Sequence, residues 1–479
     1  MNRIEKAERV DEVGSTKKEG KGIHRRVVVE IPLRYSTYSV ALNYFSIAAL
    51  LLLLLLLPVI SQIFLPMELG DARGDLGVTR KRKRNDGENN MLSNFSLDDL
   101  NQDILERVLS RLPTSAFFRL SSVCKRWKSV AASSSFKSAC SDISARDPWF
   151  FMVDPHLNRS IVFDSTEKNW KKLNYPNLLH NCHLNSMPVA ASGGLICFRN
   201  SSGNFIVSNP LTGSCSELPS VDLDQKNQSL HAIVMSADPD GCKGSYKLVL
   251  VYGQVPKLRF KVYRSTMGCW DDDVSLSRKV DDSIDFNFND DTVVYFLSRT
   301  GNVVSTNMQR SPSKQYSSVI TNKSGEDTVY FISSSGTIMA CNLSKTCFVE
   351  YPRLLPVFSE YSIDVVECRG EMLVVMLSEF LETASLRVWR FDEETRTWHQ
   401  IAALPPAMSH EWYGKKVDIN CVGAGDQILI CMNSNDLYTY LMCDLIENQW
   451  TVLPKCYMNG EAVEFMSAFS FEPRIEASV

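Results

Sequence analysis

Between Leu100 and Leu112 the apolar side chains fall at positions 100, 104, 105, 108, 109 and 112, and Asp103, Glu106, Arg107 and Ser110 lie between them. This spacing puts one apolar stripe on a 3.6-residue helix, with a charged face opposite. Pro113 stops that helix, and Thr114 or Ser115 is placed to cap the next. A second short helix carries Phe117, Phe118 and Leu120. A third runs through Arg126, Trp127 and Val130 towards the serines at 133–135. Three short helices in one small unit make a core too small to be comfortable alone. Such a unit wants a partner.

After Trp149 the pattern changes. Strand-like apolar runs alternate with clusters of turn residues, and no helical period lasts more than a turn or two. One repeat aligns DTVVYFLSRTGNVVSTNM (291–308) with DTVYFISSSGTIMACNL (327–343), matching Tyr295 to Tyr330, Phe296 to Phe331 and Gly301 to Gly336. A looser one sets a turn before an aromatic residue, often with Leu-Pro after it. Trp170, Trp270, Trp398 and Trp450 hold that aromatic place, and Cys215 and Phe348 hold it in weaker copies. The spacing suits propeller blades of about 40–50 residues. The fold class predicted is therefore α+β multidomain: a small three-helix domain at 94–140, then an all-β propeller of six or seven blades at 148–479. The blade count turns on the irregular stretch between 220 and 290. Tryptophans recurring at one repeat position read as rings packed between blades, not as a binding surface. The run EFMSAFSFEPRI (464–475) reads as a closing strand that pairs near residue 150 and hides both sheet edges.

The segment before these domains divides in two. Residues 40–65 include eight consecutive leucines at 50–57, long and apolar enough to cross a bilayer as a helix despite Asn43 and Pro58. A membrane anchor, a signal peptide and an extension absent from the working protein are the readings open for residues 1–66; the last is favoured. Residues 67–93 read as a disordered basic linker. Within it Arg80, Lys81, Arg82, Lys83 and Arg84 form a nuclear-import candidate, against the plainer reading of a charged linker without a reader.

Composition narrows the function. A net charge of −4 opposes a generally nucleic-acid-binding surface, and Lys125, Arg126 and Lys128 beside Trp127 leave only a weak electrostatic footprint. Trp127 reads as a core residue with cations on its rim. The 14 cysteines show no C-x-x-C and no zinc-type spacing, the pattern of reduced thiols in a cytosolic or nuclear protein. His180, Cys182 and His183 are too crowded for tetrahedral ligation. The acidic stretch 270–291 carries Asp271 to Asp273, Asp281, Asp282, Asp285, Asp290 and Asp291 without the glycine turn that calcium loops need, and reads as a solvated loop. No cofactor or metal is expected. No nucleophile-elbow, zinc-protease, dinucleotide or phosphate-loop string occurs either, which disfavours catalysis.

Taken together, Leu100, Asp103-Ile104-Leu105, Val108-Leu109, Leu112-Pro113, Arg119-Leu120 and Val123-Cys124-Lys125-Arg126-Trp127 resemble the F-box motif. The likeness covers nearly the whole module; one departure is Asn101, where the family usually has proline. With the repeats behind it, the chain resembles the F-box/kelch-repeat proteins abundant in plants. The resemblance implies a non-catalytic substrate-recognition subunit of an SCF-type cullin-RING ubiquitin ligase. Its adaptor contact would be Leu100, Ile104, Leu105, Val108, Leu109, Leu112, Pro113, Phe117, Leu120 and Val123. The implied partners are a Skp-type adaptor, through it a cullin-RING scaffold, and an unknown protein substrate; nucleic acid is not among them, and membrane enters only if the 40–65 span is retained. Nucleus and cytoplasm are the expected locations, with a membrane-anchored form as the alternative. The rival function is a propeller that acts as an enzyme or binds a small metabolite beside a vestigial F-box.

Overall fold

The computed structural model describes residues 101–157, 159–173, 186–221, 229–237, 244–279, 295–297, 303–305, 316–333, 336–354, 361–380, 383–434 and 437–479. The apolar stripe forms α1 (Gln102–Ser110), begun by Asn101, whose side chain accepts from the Asp103 amide at 2.9 Å. Next come α2 (Thr114–Ser121), α3 (Lys125–Val130) and α4 (Ser134–Ser141). One more helix is present than the sequence pattern predicted. The third run ends at Val130, and the Ser133 hydroxyl then accepts from the Phe136 amide and starts α4.

That fourth helix closes the core. Phe136 and Cys140 of α4 are buried with Leu105, Leu109, Leu112, Phe117, Trp127 and Val130, and the Phe117 and Phe136 rings stack 4.9 Å apart. Glu106, also buried, accepts from Gln102 Nε2 at 2.9 Å and from Ser135 Oγ at 2.5 Å, which stitches α1 to α4. A carboxylate there survives burial because its oxygens are hydrogen-bonded.

The described strands between Trp149 and Phe471 build six blades, four of them four-stranded and two with a short fifth strand, and all their pairings are antiparallel except that of Ser277–Arg278 with Cys347–Glu350. Their first strands, Ser467–Phe471, Met187–Ser192, Leu230–Ala237, Ser318–Lys323, Tyr361–Cys368 and Asp418–Ala424, contact one another in a closed ring around the axis. Blade 1 joins the two ends of the repeat array: Trp149–Val153 pairs with Ser467–Phe471, Trp149 opposite Phe471 and Val153 opposite Ser467. The predicted closing strand is thus present, and no edge is left at the seam. The 327–343 repeat supplies the second and third strands of blade 4. Its 291–308 copy supplies only a hairpin, Tyr295–Leu297 with Val303–Ser305, which pairs with no blade among the described residues. Six is therefore the count among the described residues.

The recurring tryptophans sit on outermost strands and reach the preceding blade. Trp170, Trp270 and Trp398 donate their indole N–H to the carbonyls of Pro454, Pro219 and Pro352 at 2.9, 2.8 and 2.8 Å. Trp170 also packs on Phe465 and Tyr440, which approach from the blade 6 side. A proline after the preceding blade's last strand thus supplies the acceptor, within a Leu-Pro at 454 and 219 and after Tyr351 at 352. Trp450 is buried at the same repeat position, but its indole nitrogen has no hydrogen-bond partner among the described residues. Trp270→Phe should consequently cost about 0.5–1.5 kcal/mol more than Trp450→Phe in equilibrium urea unfolding, since only the former loses a bond. Equal costs would show that the bond contributes nothing to blade docking.

Among the described residues no helix is long and apolar enough to cross a membrane, and no cluster of His, Cys, Asp or Glu has metal-site geometry. The 40–65 span, the basic run 80–84, the His180–His183 group and Asp281 to Asp291 lie outside the described residues.

Candidate adaptor-docking surface

The apolar stripe of α1 splits between two destinations. Leu105 and Leu109 turn inwards with Leu112 and with Phe117 of α2, each less than a tenth exposed. These four belong to the module's own core. In the chain by itself they present little area to a partner. What remains outside is Ile104 at 49% exposure, Val123 at 53% and Phe118 at 39%, with Pro113 exposed and Val108 and Leu120 half-buried. Ile104 and Val108 are one turn apart, so they make an apolar edge along α1. Leu100 lies outside the described residues.

Phe118 is the surface residue that the sequence reading passed over. Its signal was the adjacent pair: consecutive helical residues point about 100° apart, so if Phe117 fills the core Phe118 cannot. Their rings are tilted against each other at 5.7 Å. Trp127 is in the core and Lys125 and Lys128 are exposed around it, as the pattern suggested.

The start of α2 departs from local rules. Pro113 takes the N-cap place with no side-chain bond, and neither Thr114 nor Ser115 caps the helix. Their hydroxyls are buried and point across to the propeller instead. Thr114 Oγ1 donates to the Pro473 carbonyl at 2.8 Å, and Ser115 Oγ donates to Glu167 at 2.6 Å. Glu167 also pairs with Arg119 at 2.8 Å and with Lys171 at 2.8 Å, while Lys171 reaches buried Asp164 at 2.6 Å. Partial burial opposes the Glu167 charge, but the bonds from Arg119, Lys171 and Ser115 outweigh it and bring its pKa down to about 2. A carboxylate at the first turn of α2 is also favoured by the helix dipole.

The acidic stretch behaves as structure where it is described. Asp273 pairs with Lys261 at 3.0 Å and Asp271 with Arg264 at 3.4 Å, both across blade 3. The described cysteines are free thiols, and burial pushes Cys140 and Cys456 up to about 11, so neither is a nucleophile at neutral pH.

Comparison with known proteins agrees with this division. Residues 97–139 match the F-box domain, and residues 162–409 match the KIB1-4 β-propeller. The chain is similar to F-box only protein 13 of Arabidopsis thaliana, 52% identical over 84% of this chain and 90% of that protein. It is also similar to F-box only protein 6 of the same plant, 26% identical over 74% of this chain and 69% of that protein. Protein UNUSUAL FLORAL ORGANS, again from Arabidopsis thaliana, is 21% identical over 78% of this chain and 85% of its own length.

Proposed function

The chain belongs to the F-box proteins that carry a KIB1-4 β-propeller, and from that premise we propose that it is the substrate-recognition subunit of an SCF-type ubiquitin ligase. The observation that carries the reading is the apolar surface left over after the helical module has closed its core: Ile104, Phe118 and Val123, with half-buried Val108 and Leu120. An aliphatic side chain moved from water into an interface contributes about 1.5–3 kcal/mol, so a handful of them offset the cost of association. A Skp-type adaptor is the partner this surface would take, with a cullin-RING scaffold beyond it. The propeller would hold a target protein by its loops.

In this role the chain makes and breaks no bond. It raises the concentration of the target beside the ubiquitin carrier held by the other subunits, and proximity is its whole contribution. Work in the nucleus and cytoplasm is part of the proposal and rests on the basic run 80–84.

The test is co-expression of the full chain with a Skp-type adaptor, followed by size-exclusion chromatography with mass determination. A 1:1 complex is expected. A chain that elutes without the adaptor, with its thermal unfolding intact, would refute the proposal.

A further inference from the structure

The residues that follow the closing strand run back over blade 2 as a strap, 472–479. Its hold on the propeller is extensive. The Glu472 amide donates to the Gly193 carbonyl at 2.6 Å, and Asn209, fully buried, donates from Nδ2 to the carbonyls of Arg474 at 3.0 Å and Ala477 at 2.8 Å. Ala477 and Val479 pack on the apolar cluster shared by blades 2 and 3, and Ile475 packs on the one shared by blades 1 and 2. Gly194 makes the passage possible: a Cβ there would lie 2.7 Å from the Ala477 Cβ and 2.8 Å from the Arg474 Cβ.

The same strap grips the helical module. The Arg474 guanidinium donates to the Ile143 and Ser144 carbonyls at 3.0 and 2.9 Å, just past the end of α4. Its charge is balanced by Glu472 at 2.6 Å and Glu476 at 3.1 Å. Pro473, next to it, accepts the Thr114 hydroxyl at the start of α2. Arg146, in the segment leading to the first blade, donates to the Ser110 and Leu112 carbonyls at 2.9 and 3.2 Å and so ties that segment to the end of α1. On the blade 1 side Glu167 holds Ser115 and Arg119. The module is therefore fixed at three separate places, by groups that would each lose a partner if it swung away.

We infer that the strap locks the F-box to the propeller in one orientation, with Arg474 as the positioning residue of the joint. The connection is a rigid arm, not a tether. Hydrogen bonds to a guanidinium contribute more than neutral ones, and here two go to carbonyls that have no helical partner of their own. If the receptor reading holds, the consequence is functional: the lock fixes the distance and angle at which a bound target faces the ubiquitin carrier.

Hydrogen–deuterium exchange on the full chain tests this without reference to any adaptor or target. In Arg474→Met the amides of 114–118 and 140–147 should exchange at least tenfold faster, while the strands of blades 3 to 5 keep wild-type protection. Gly194→Val, which pushes the strap off from the propeller side, should give the same pattern, and Glu167→Gln a smaller change confined to 114–118. Fast exchange of both segments in the wild-type chain would overturn the inference. So would unchanged exchange in Arg474→Met and Gly194→Val, or acceleration spread evenly over all six blades.

Discussion

Glutamate at both Ile104 and Val123 is expected to weaken capture of a Skp-type adaptor by about 10²–10⁴-fold and to leave the fold intact. Each side chain is about half exposed in the free chain, so neither supports the core. Burial of each in an interface contributes about 1.5–3 kcal/mol, and every 1.4 kcal/mol lost is tenfold in affinity. The new carboxylates would add the cost of stripping water from unpaired charges. Leu105→Ala with Leu109→Ala is the less informative pair, since each truncation would remove about 2–5 kcal/mol from the small core and melt the surface itself. Calorimetric titration reads the affinity, and circular dichroism melting reads the fold. An affinity within threefold of wild type would sink the assignment of this surface.

The contrast between those two pairs marks how far the sequence could be read. The stripe from Leu100 to Leu112 is a local period, and local periods survive into the structure as helices. Which members of the stripe face inwards depends on α4, and SSFKSACS carries only Phe136 and Cys140 to announce it. Without that helix, Leu105 and Leu109 look unfinished; with it, only Ile104 and its neighbours are. The tryptophans were legible for a different reason. One residue type at one repeat position meets the same kind of neighbour in three of the blades, a proline carbonyl after the preceding blade's last strand. Of the two blade counts left open, the described residues give six, because strand pairing, not sequence likeness, makes a blade, and the 291–308 copy has no described third or fourth strand.

Thr114 and Ser115 show the limit most clearly. Near neighbours offer one hydroxyl or the other as a helix cap, the usual outcome for such residues after a proline. Their true partners are 359 and 52 residues away. No window around position 114 contains that information. The same holds for Gly194, whose missing Cβ makes room for the strap.

Close approach of backbones gives the second large effect. Gly423→Ala should destabilise the propeller by about 3 kcal/mol or more, and Gly425→Ala, two residues on, by only about 1–2 kcal/mol. Gly423 lies on the first strand of blade 6, where a Cβ would stand closest to the Glu367 carbonyl oxygen of blade 5 and 2.7 Å from the Cys368 sulfur. Backbone atoms of a hydrogen-bonded strand cannot step aside as a flexible side chain can. The two inner strands would have to separate, and the strain would spread. The Gly423 carbonyl accepts from Ser470 of blade 1 at 2.9 Å, and Cys368 Sγ donates to the Gln427 carbonyl at 3.8 Å, so three blades meet at this point. Gly425, by contrast, has φ +58° and no described atom within 4 Å of where its Cβ would stand, so alanine there meets backbone strain alone among the described residues. Thermal melting of the two single variants separates the explanations. If both lose the same small amount, the inner ring yields at no cost and close packing of blades 5 and 6 is not what holds the propeller together.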